Sequence, residues 1–420
     1  MRRLLSAVAA LLLCSTSLGA QTLRDRVSSL FEFGTCGEPL CLNVPNNHGR
    51  HFIPELVEGN SNVIGFLADA IGTSISGIPI SSASGGYTYQ FVNGAPVQTS
   101  ISAGPIFGER APTLGRHRVL LGANLTRFSF QSLRGVPMND LEFNFTHQNV
   151  GSPVYGDPEF ENDVLEVHTA VDFSLAIGTI YAAYGLLDWL DVGVAVPLVH
   201  ASLRGSSAAM IQAFEGADTP HQLTPGSITA ETSNEGSATG VGDVALRMKA
   251  NLTPGAAFDF GVLGDVRLPT GDEQNFLGTG YVTARGLAIL STRIQNFSPH
   301  LNGGFLYRGG ADANDAILLT AGFDQLISSR ATLAFDVLSE WVVGDPAISV
   351  PGPVEFTQPF VRSVQPSSIP NMRDDIVNAA IGAKLLVGRG VTVVVDGLAP
   401  LNRGGMRPDW GWTVGLERGF

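Results

Sequence analysis

From residue 115 onward the chain repeats one pattern, segments of about a dozen residues in which apolar and polar side chains alternate. Segment 163–177 reads DVLEVHTAVDFSLAI. Leu165, Val167, Val171, Phe173, Leu175 and Ile177 share one parity; Glu166, His168, Asp172 and Ser174 share the other. Successive side chains on a strand point to opposite faces, so each such strand has one apolar and one polar side. The pattern returns at 243–252, with Leu246 and Met248 against Asp243, Arg247 and Lys249. It returns at 258–268, with Phe260 and Val266 against Asp259, Asp265 and Arg267, and at 330–342, with Phe335 and Trp341 against Asp336 and Glu340.

A soluble sandwich alternates too. Three features select a membrane barrel instead. The segments are about 11–13 residues long, where globular strands have about five or six and a membrane strand needs about 9–11. Short connections (253–256, 293–296, 388–390) swap with long polar ones (204–240, 344–375), as in bacterial outer-membrane barrels. The chain ends in PDWGWTVGLERGF, with Trp410, Trp412, Val414, Leu416 and the terminal Phe420 on one parity. That ending resembles the strand by which outer-membrane proteins are recognised by their assembly machinery. A sheet in lipid must close on itself, because lipid satisfies no backbone N–H or C=O group. The reading is an all-β, transmembrane antiparallel β-barrel of about 12 strands, the first at 117–128 and the last at 409–420. Residues 138–147 offer a hairpin partner that would make 14. Pro197 falls inside a strand, removes a ladder hydrogen bond and predicts a kink or bulge.

The amino-terminal part differs. Residues 1–20, MRRLLSAVAALLLCSTSLGA, have the plan of a secretory signal peptide cleaved after Ala20. Residues 21–115 form a partly helical segment that either plugs the barrel or sits beneath it in the periplasm, with helical spacing at 22–33 and 60–74 and a hairpin at Asn93-Gly94. The barrel itself takes 116–420. With Cys14 in the leader, Cys36 and Cys41 remain and are read as a disulfide of an exported protein. His48 and His51 complete a C-x4-C-x6-H-x2-H run, but those spacings match no common zinc finger, and no metal or cofactor is expected. The formal net charge of −13 argues against nucleic-acid binding, which needs a basic field.

Two stretches carry a family resemblance. One is Gly242-Asp243-Val244-Ala245-Leu246-Arg247-Met248-Lys249; the other is Leu268-Pro269-Thr270-Gly271-Asp272, followed by Leu277-Gly278-Thr279-Gly280. Together with Tyr184-Gly185-Leu186 and the run from Leu190 to Pro197, they resemble the outer-membrane family named for the meta-pathway of phenol degradation. The resemblance covers roughly 180–345 well and departs at the amino terminus. It implies an outer-membrane channel, remotely similar to the long-chain fatty-acid transporter barrels, for small aromatic or hydrophobic compounds, with no catalytic residue to carry over.

The sequence holds no G-x-S-x-G elbow, H-E-x-x-H or phosphate loop, and a non-enzyme is expected. His168 and His300 fall on polar faces; His168 and Asp172, four apart, stand about 13 Å from each other and form no dyad alone. The expected pore lining is Glu166, His168, Asp172, Asp243, Arg247, Lys249, Asp259, Asp265, Arg267, Arg285, Arg308, Asp336, Glu340, Lys384 and Asp396. These charges either set a field across a water-filled pore or pair and close it. The expected function is passive or gated uptake of small hydrophobic or aromatic solutes, with outer-membrane lipid and the barrel assembly machinery as partners. The alternative is a closed structural or adhesive barrel without transport.

Overall fold

The computed structural model describes residues 107–146 and 163–420 apart from 213–221, 311–312, 347–349, 357–360 and 389. In the amino-terminal part it describes 21–34, 37–42, 52–53, 60, 64–65, 67–72 and 104, and the backbone of 89–92 and 95–98. The leader, Cys36, His48 and His51 lie outside these residues.

Helix α1 (Leu23–Ser28) starts at a capping box, in which Thr22 and Asp25 each accept the other's backbone N–H, and runs into a 3-10 turn, Ser29–Phe31. Strands β1 (Tyr89–Val92) and β2 (Ala95–Gln98) pair antiparallel, Val92 opposite Ala95. The remaining strands are β3 (Val119–Leu133), β4 (Val136–Pro137), β5 (Leu141–Thr146), β6 (Val164–Leu187), β7 (Leu190–Gln212), β8 (Thr229–Val241), β9 (Val244–Asn251) and β10 (Phe258–Leu268). They continue as β11 (Thr283–Thr292), β12 (Phe297–Arg308), β13 (Ala316–Ser328), β14 (Ala331–Val342), β15 (Val354–Phe356), β16 (Arg362–Val364), β17 (Ile376–Leu386), β18 (Val391–Pro400) and β19 (Met406–Gly419).

Twelve of them close an antiparallel barrel in the order β3, β6, β7, β9, β10, β11, β12, β13, β14, β17, β18, β19 and back to β3. The seam joins the first and last barrel strands, from Gly419 opposite Leu120 to Met406 opposite Leu133. The count settles at 12 and not 14 because β5, the candidate at 138–147, pairs only with the distal end of β6, from Leu141 opposite Thr169 to Thr146 opposite Val164. It lies above the closed ring and adds nothing to its circumference.

The outer belt is apolar and exposed: Ile180, Leu198, Met248, Phe258, Ile317, Ile381, Trp410, Val414 and Leu416 all point away from the barrel. Such a surface has a counterpart only in lipid. One rim carries tight turns, as at Asp188-Trp189 between β6 and β7; call it the lower rim. At the upper rim β6 and β7 do not stop. They run on as a ladder that reaches Val164 opposite Gln212. The expected loop 204–240 is therefore largely strand: β7 continues to Gln212 and β8 pairs back along it from Val241–Leu198 to Thr229–Met210. Its alternation is there in the sequence, but Gly205, Ser207 and Ala209 hold the inner positions, so it does not read as apolar. The other expected loop, 344–375, carries the small β15–β16 hairpin.

On the extension the two faces exchange character. The outward row of β7 runs Val194, Val196, Leu198 and then His200, Ser202, Arg204; on β6 the change falls between Ala176 and Ser174. Ala176 stands opposite His200 in the ladder, so both strands leave lipid at one level. Above it water is outside, and the inward row, Leu165, Val167, Val171, Phe173 and Leu175, joins the main apolar core. That core also takes Leu23, Val27, Leu30, Phe31, Leu67 and Ile71 from the amino-terminal segment. Leu30 lies over Gly205, whose hydrogen leaves the space: an added Cβ would stand 2.5 Å from the Leu30 side chain.

Candidate functional site

The lumen is built in two storeys. The upper one is the apolar core just described, with Phe31 edge-on to Phe143 and Phe145 of β5 at 5.6 and 5.7 Å and Phe173 edge-on to Phe276. The lower one is polar. Residues 107–116 cross it as an extended strap, and many of its backbone N–H groups donate to wall side chains. The N–H groups of Phe107 and Gly108 donate to the Asp336 carboxylate at 3.0 Å, and Glu109 N–H donates to Asn302 at 2.7 Å. Asn302 returns a hydrogen bond to Glu109 O, Ala111 N–H donates to Ser291, and Leu114 N–H donates to Asp191 at 2.9 Å. The strap ends at the lower rim, where Arg116 N–H reaches Asp188. Gly108 passes too close to the wall for any side chain: a Cβ there would lie 2.2 Å from His300 Nε2.

Charged wall residues pair with the strap and with one another. Arg247 meets Glu109 at 2.9 Å and Asp265 at 3.7 Å, and Arg285 binds Asp265 through Nε at 2.7 Å. His300 meets Asp336 at 2.7 Å with both side chains wholly buried. Arg110 meets Asp324, Lys384 meets Glu417, Arg308 meets Glu340, and Lys249 reaches Arg110 O at 3.4 Å. A cavity of about 40 Å³ beside Tyr181, Asp191, Arg247 and Lys249, room for a few waters, remains among them. Of the expected pore-lining residues, Arg247, Lys249, Asp265, Arg308, Asp336, Lys384 and Asp396 are thus inward and buried or nearly so, and Asp259, Arg267, Arg285 and Glu340 are inward and partly so.

Three do not face the lumen. Glu166, His168 and Asp172 sit on the outward row of β6 above the lipid, where the polar parity is the solvent face. Applying the membrane rule, polar side inward, to the whole of 163–177 misplaces them, because nearly all of that segment lies above the level of Ala176 where β6 leaves the lipid. His168 contacts Glu166 at 2.9 Å and Asp140 at 3.3 Å. The Glu166 hydrogen bond raises its pKa above the ordinary 6.5, against a smaller opposing effect of burial and with help from Asp140 and Glu142.

Asp243 faces neither lumen nor water. The irregularity expected at Pro197 lies in the partner strand: the β6 ladder runs through Thr179–Pro197 unshifted, while on the other side β7 leaves β9 at Ala195 and takes up β8 at Leu198. Gly242 and Asp243 form a one-residue bulge there, Gly242 N–H donating to Pro197 O at 2.9 Å. The Asp243 carboxylate accepts from Gly271 N–H at 3.0 Å and from Thr279 N–H and Oγ1 at 2.9 Å. Thr270 Oγ1 donates to Gly242 O and accepts from Val244 N–H. Gly271 and Gly278 pack backbone on backbone, and a Cβ on either would fall 2.7 Å from the other's Cα. The G-D, L-P-T-G-D and L-G-T-G stretches are thus one knot at a one-residue bulge in the wall, a role that no reading of them singly could find. The knot holds the amino-terminal segment as well: Phe276 and Leu277 enter the apolar core, and Leu23 N–H donates to Asn275. Cys41 is buried and disulfide-bonded.

Residues 147–390, more than half of the chain, match the family described as "Putative MetA-pathway of phenol degradation". No curated protein matches. Among solved structures, an outer-membrane channel from Pseudomonas putida F1 aligns at 13% identity over 74% of this chain and 98% of its own, with a TM-score of 0.42. A Pseudomonas aeruginosa homologue of the long-chain fatty-acid transporter aligns at 10% identity over 72% and 90%, TM-score 0.34. A Ralstonia pickettii toluene transporter aligns at 14% identity over 74% and 92%, TM-score 0.29.

Proposed function

This chain belongs to that phenol-degradation pathway family, and we propose that it is a gated outer-membrane channel for uptake of small hydrophobic or aromatic compounds. The observation that carries the reading is the order of the storeys: an apolar core above a polar floor of ion pairs. A hydrophobic solute gains by entering the core and loses by crossing a floor of ion pairs. The residues 107–116 and the paired charges, Arg247, Lys249, Asp265, Arg285 and Asp336 foremost, then act as a closed floor. In this reading residues 1–20 direct export, 21–115 serve as the plug, and the last strand, ending at Phe420, engages the assembly machinery.

The same filled lumen favours a second reading, a closed structural barrel without transport. Flux into liposomes holding the refolded protein separates them, with a small sugar and a small aromatic acid side by side. Passage of the aromatic compound alone supports the channel. Equal passage of both removes its selectivity for hydrophobic solutes. Passage of neither, in a protein with β-rich circular dichroism, supports the closed barrel.

A further inference from the structure

We propose that His168 is a proton-operated clasp that holds the β5 flap of the extension shut in acid and releases it in base. The argument starts from the ring. Nε2 of His168 lies 2.9 Å from Glu166 Oε1, and Nδ1 lies 3.3 Å from Asp140 Oδ1. A neutral imidazole has one N–H, so it can donate to only one of two carboxylates. Both contacts are hydrogen bonds only when the ring is an imidazolium. Glu166 is occupied as an acceptor on its other side too, by Gln212 of β7. The ring therefore ties the start of β5 to β6, and through Glu166 to β7.

The charges around it give the proton leverage. Glu142 of β5 stands opposite His168 in the ladder. Asp140 precedes β5, and Glu166 is the next outward residue of β6. On the β7 side the facing residues are neutral, Ala208 opposite His168 and Met210 opposite Glu166. Among the described residues, the imidazolium is thus the one cation between three carboxylates on this seam. The nearest outward cation, Arg204, is four positions along the ladder and paired with Glu235. Loss of the proton removes a charge-assisted hydrogen bond and leaves Asp140, Glu142 and Glu166 facing one another. Like charges across a ladder destabilise it.

What this seam holds is the wall of the apolar core. The inward side of β5 carries Leu141, Phe143 and Phe145, all fully buried, the two rings against Phe31. The far edge of β5 is held by only a few hydrogen bonds, from Asn144 N–H to Pro366 O and from Ser368 N–H to Glu142 O among them. The link from flap to solute entry rests on the channel reading; the clasp itself does not.

Hydrogen exchange of 138–146 in the full-length protein, corrected for the intrinsic effect of pH, tests it. Between pH 5.5 and 8.5 protection of the wild type should fall about two- to fivefold, the scale of one half-exposed charge-assisted pair. His168→Gln should be poorly protected at both values. His168→Arg, a permanent cation, should be protected at both. Protection of the wild type that does not follow pH, or a pH response that survives in His168→Gln, overturns the clasp. Flux measured in parallel keeps the readings apart: protection that follows pH with no flux at any pH leaves the clasp standing and removes the channel.

Discussion

At the scale of single residues, function is concentrated in side chains that hold backbone. Asp243 has three donors on its carboxylate, two of them backbone or hydroxyl groups of Thr279. Asp243→Ala leaves those donors unpaired at the bulge between β8 and β9. We expect a loss of about 2–3 kcal/mol, read as a lowered urea midpoint of the folded barrel on gels. Under the channel reading it also raises flux of aromatic solutes. Gly108→Ala sets a Cβ into His300 and Asp336; it should dislodge the strap and raise ion conductance in planar bilayers while the barrel stays folded. His168 has the sign of a raised pKa. Its contribution to stability is complete below the unfolded value of 6.5 and fades as pH climbs through the higher folded value. A thermal midpoint that follows this course in wild type but not in His168→Gln is the expected outcome. None of these roles was legible position by position. Alternation placed Arg247, Asp265 and Asp336 on the inner face, yet it says nothing about partners 138, 20 or 229 residues away. Those partners are set by closure of the ring and by the strap.

At the scale of elements, the strap is held to the wall by side chains rather than by strand pairing. Phe107, Gly108, Glu109, Ala111 and Leu114 bind wall side chains, whereas every barrel strand is bonded to two other strands. Deleting 21–115 should therefore leave a barrel that still inserts, and turn a low conductance into a large one. A deletion protein that inserts but conducts no more than wild type would contradict the strap as the floor. The strands themselves were legible because lipid imposes one rule on all of them. The extension was not, because its inner row meets protein and its outer row meets water. There the same period of two carries the opposite meaning, and Glu166, His168 and Asp172 change sides.

At the scale of the molecule, the apolar belt sets how the barrel sits. Ile180 and Asp172 share the outward row of β6, one within lipid and one above it. Ile180→Arg should cost about 2–4 kcal/mol, as arginine does near a bilayer midplane, and Asp172→Arg at most about 1 kcal/mol. Equal costs in lipid-based unfolding would place the boundary elsewhere than Ala176–His200.

The β6–β7 hairpin also bears on the order of events in assembly. It is the longest ladder of the molecule and springs from a turn at Asp188-Trp189. Pairing that needs so little loop closure forms early. The seam between β3 and β19 joins positions almost 300 residues apart and is the costliest contact to reach. The strap leads directly into β3, on the hairpin side of that seam. A ring that closed first would have to admit the strap through a narrow mouth. One that closes last folds shut around a segment whose lower end already lies against the Asp188 turn and β7, so the barrel is built with the strap inside.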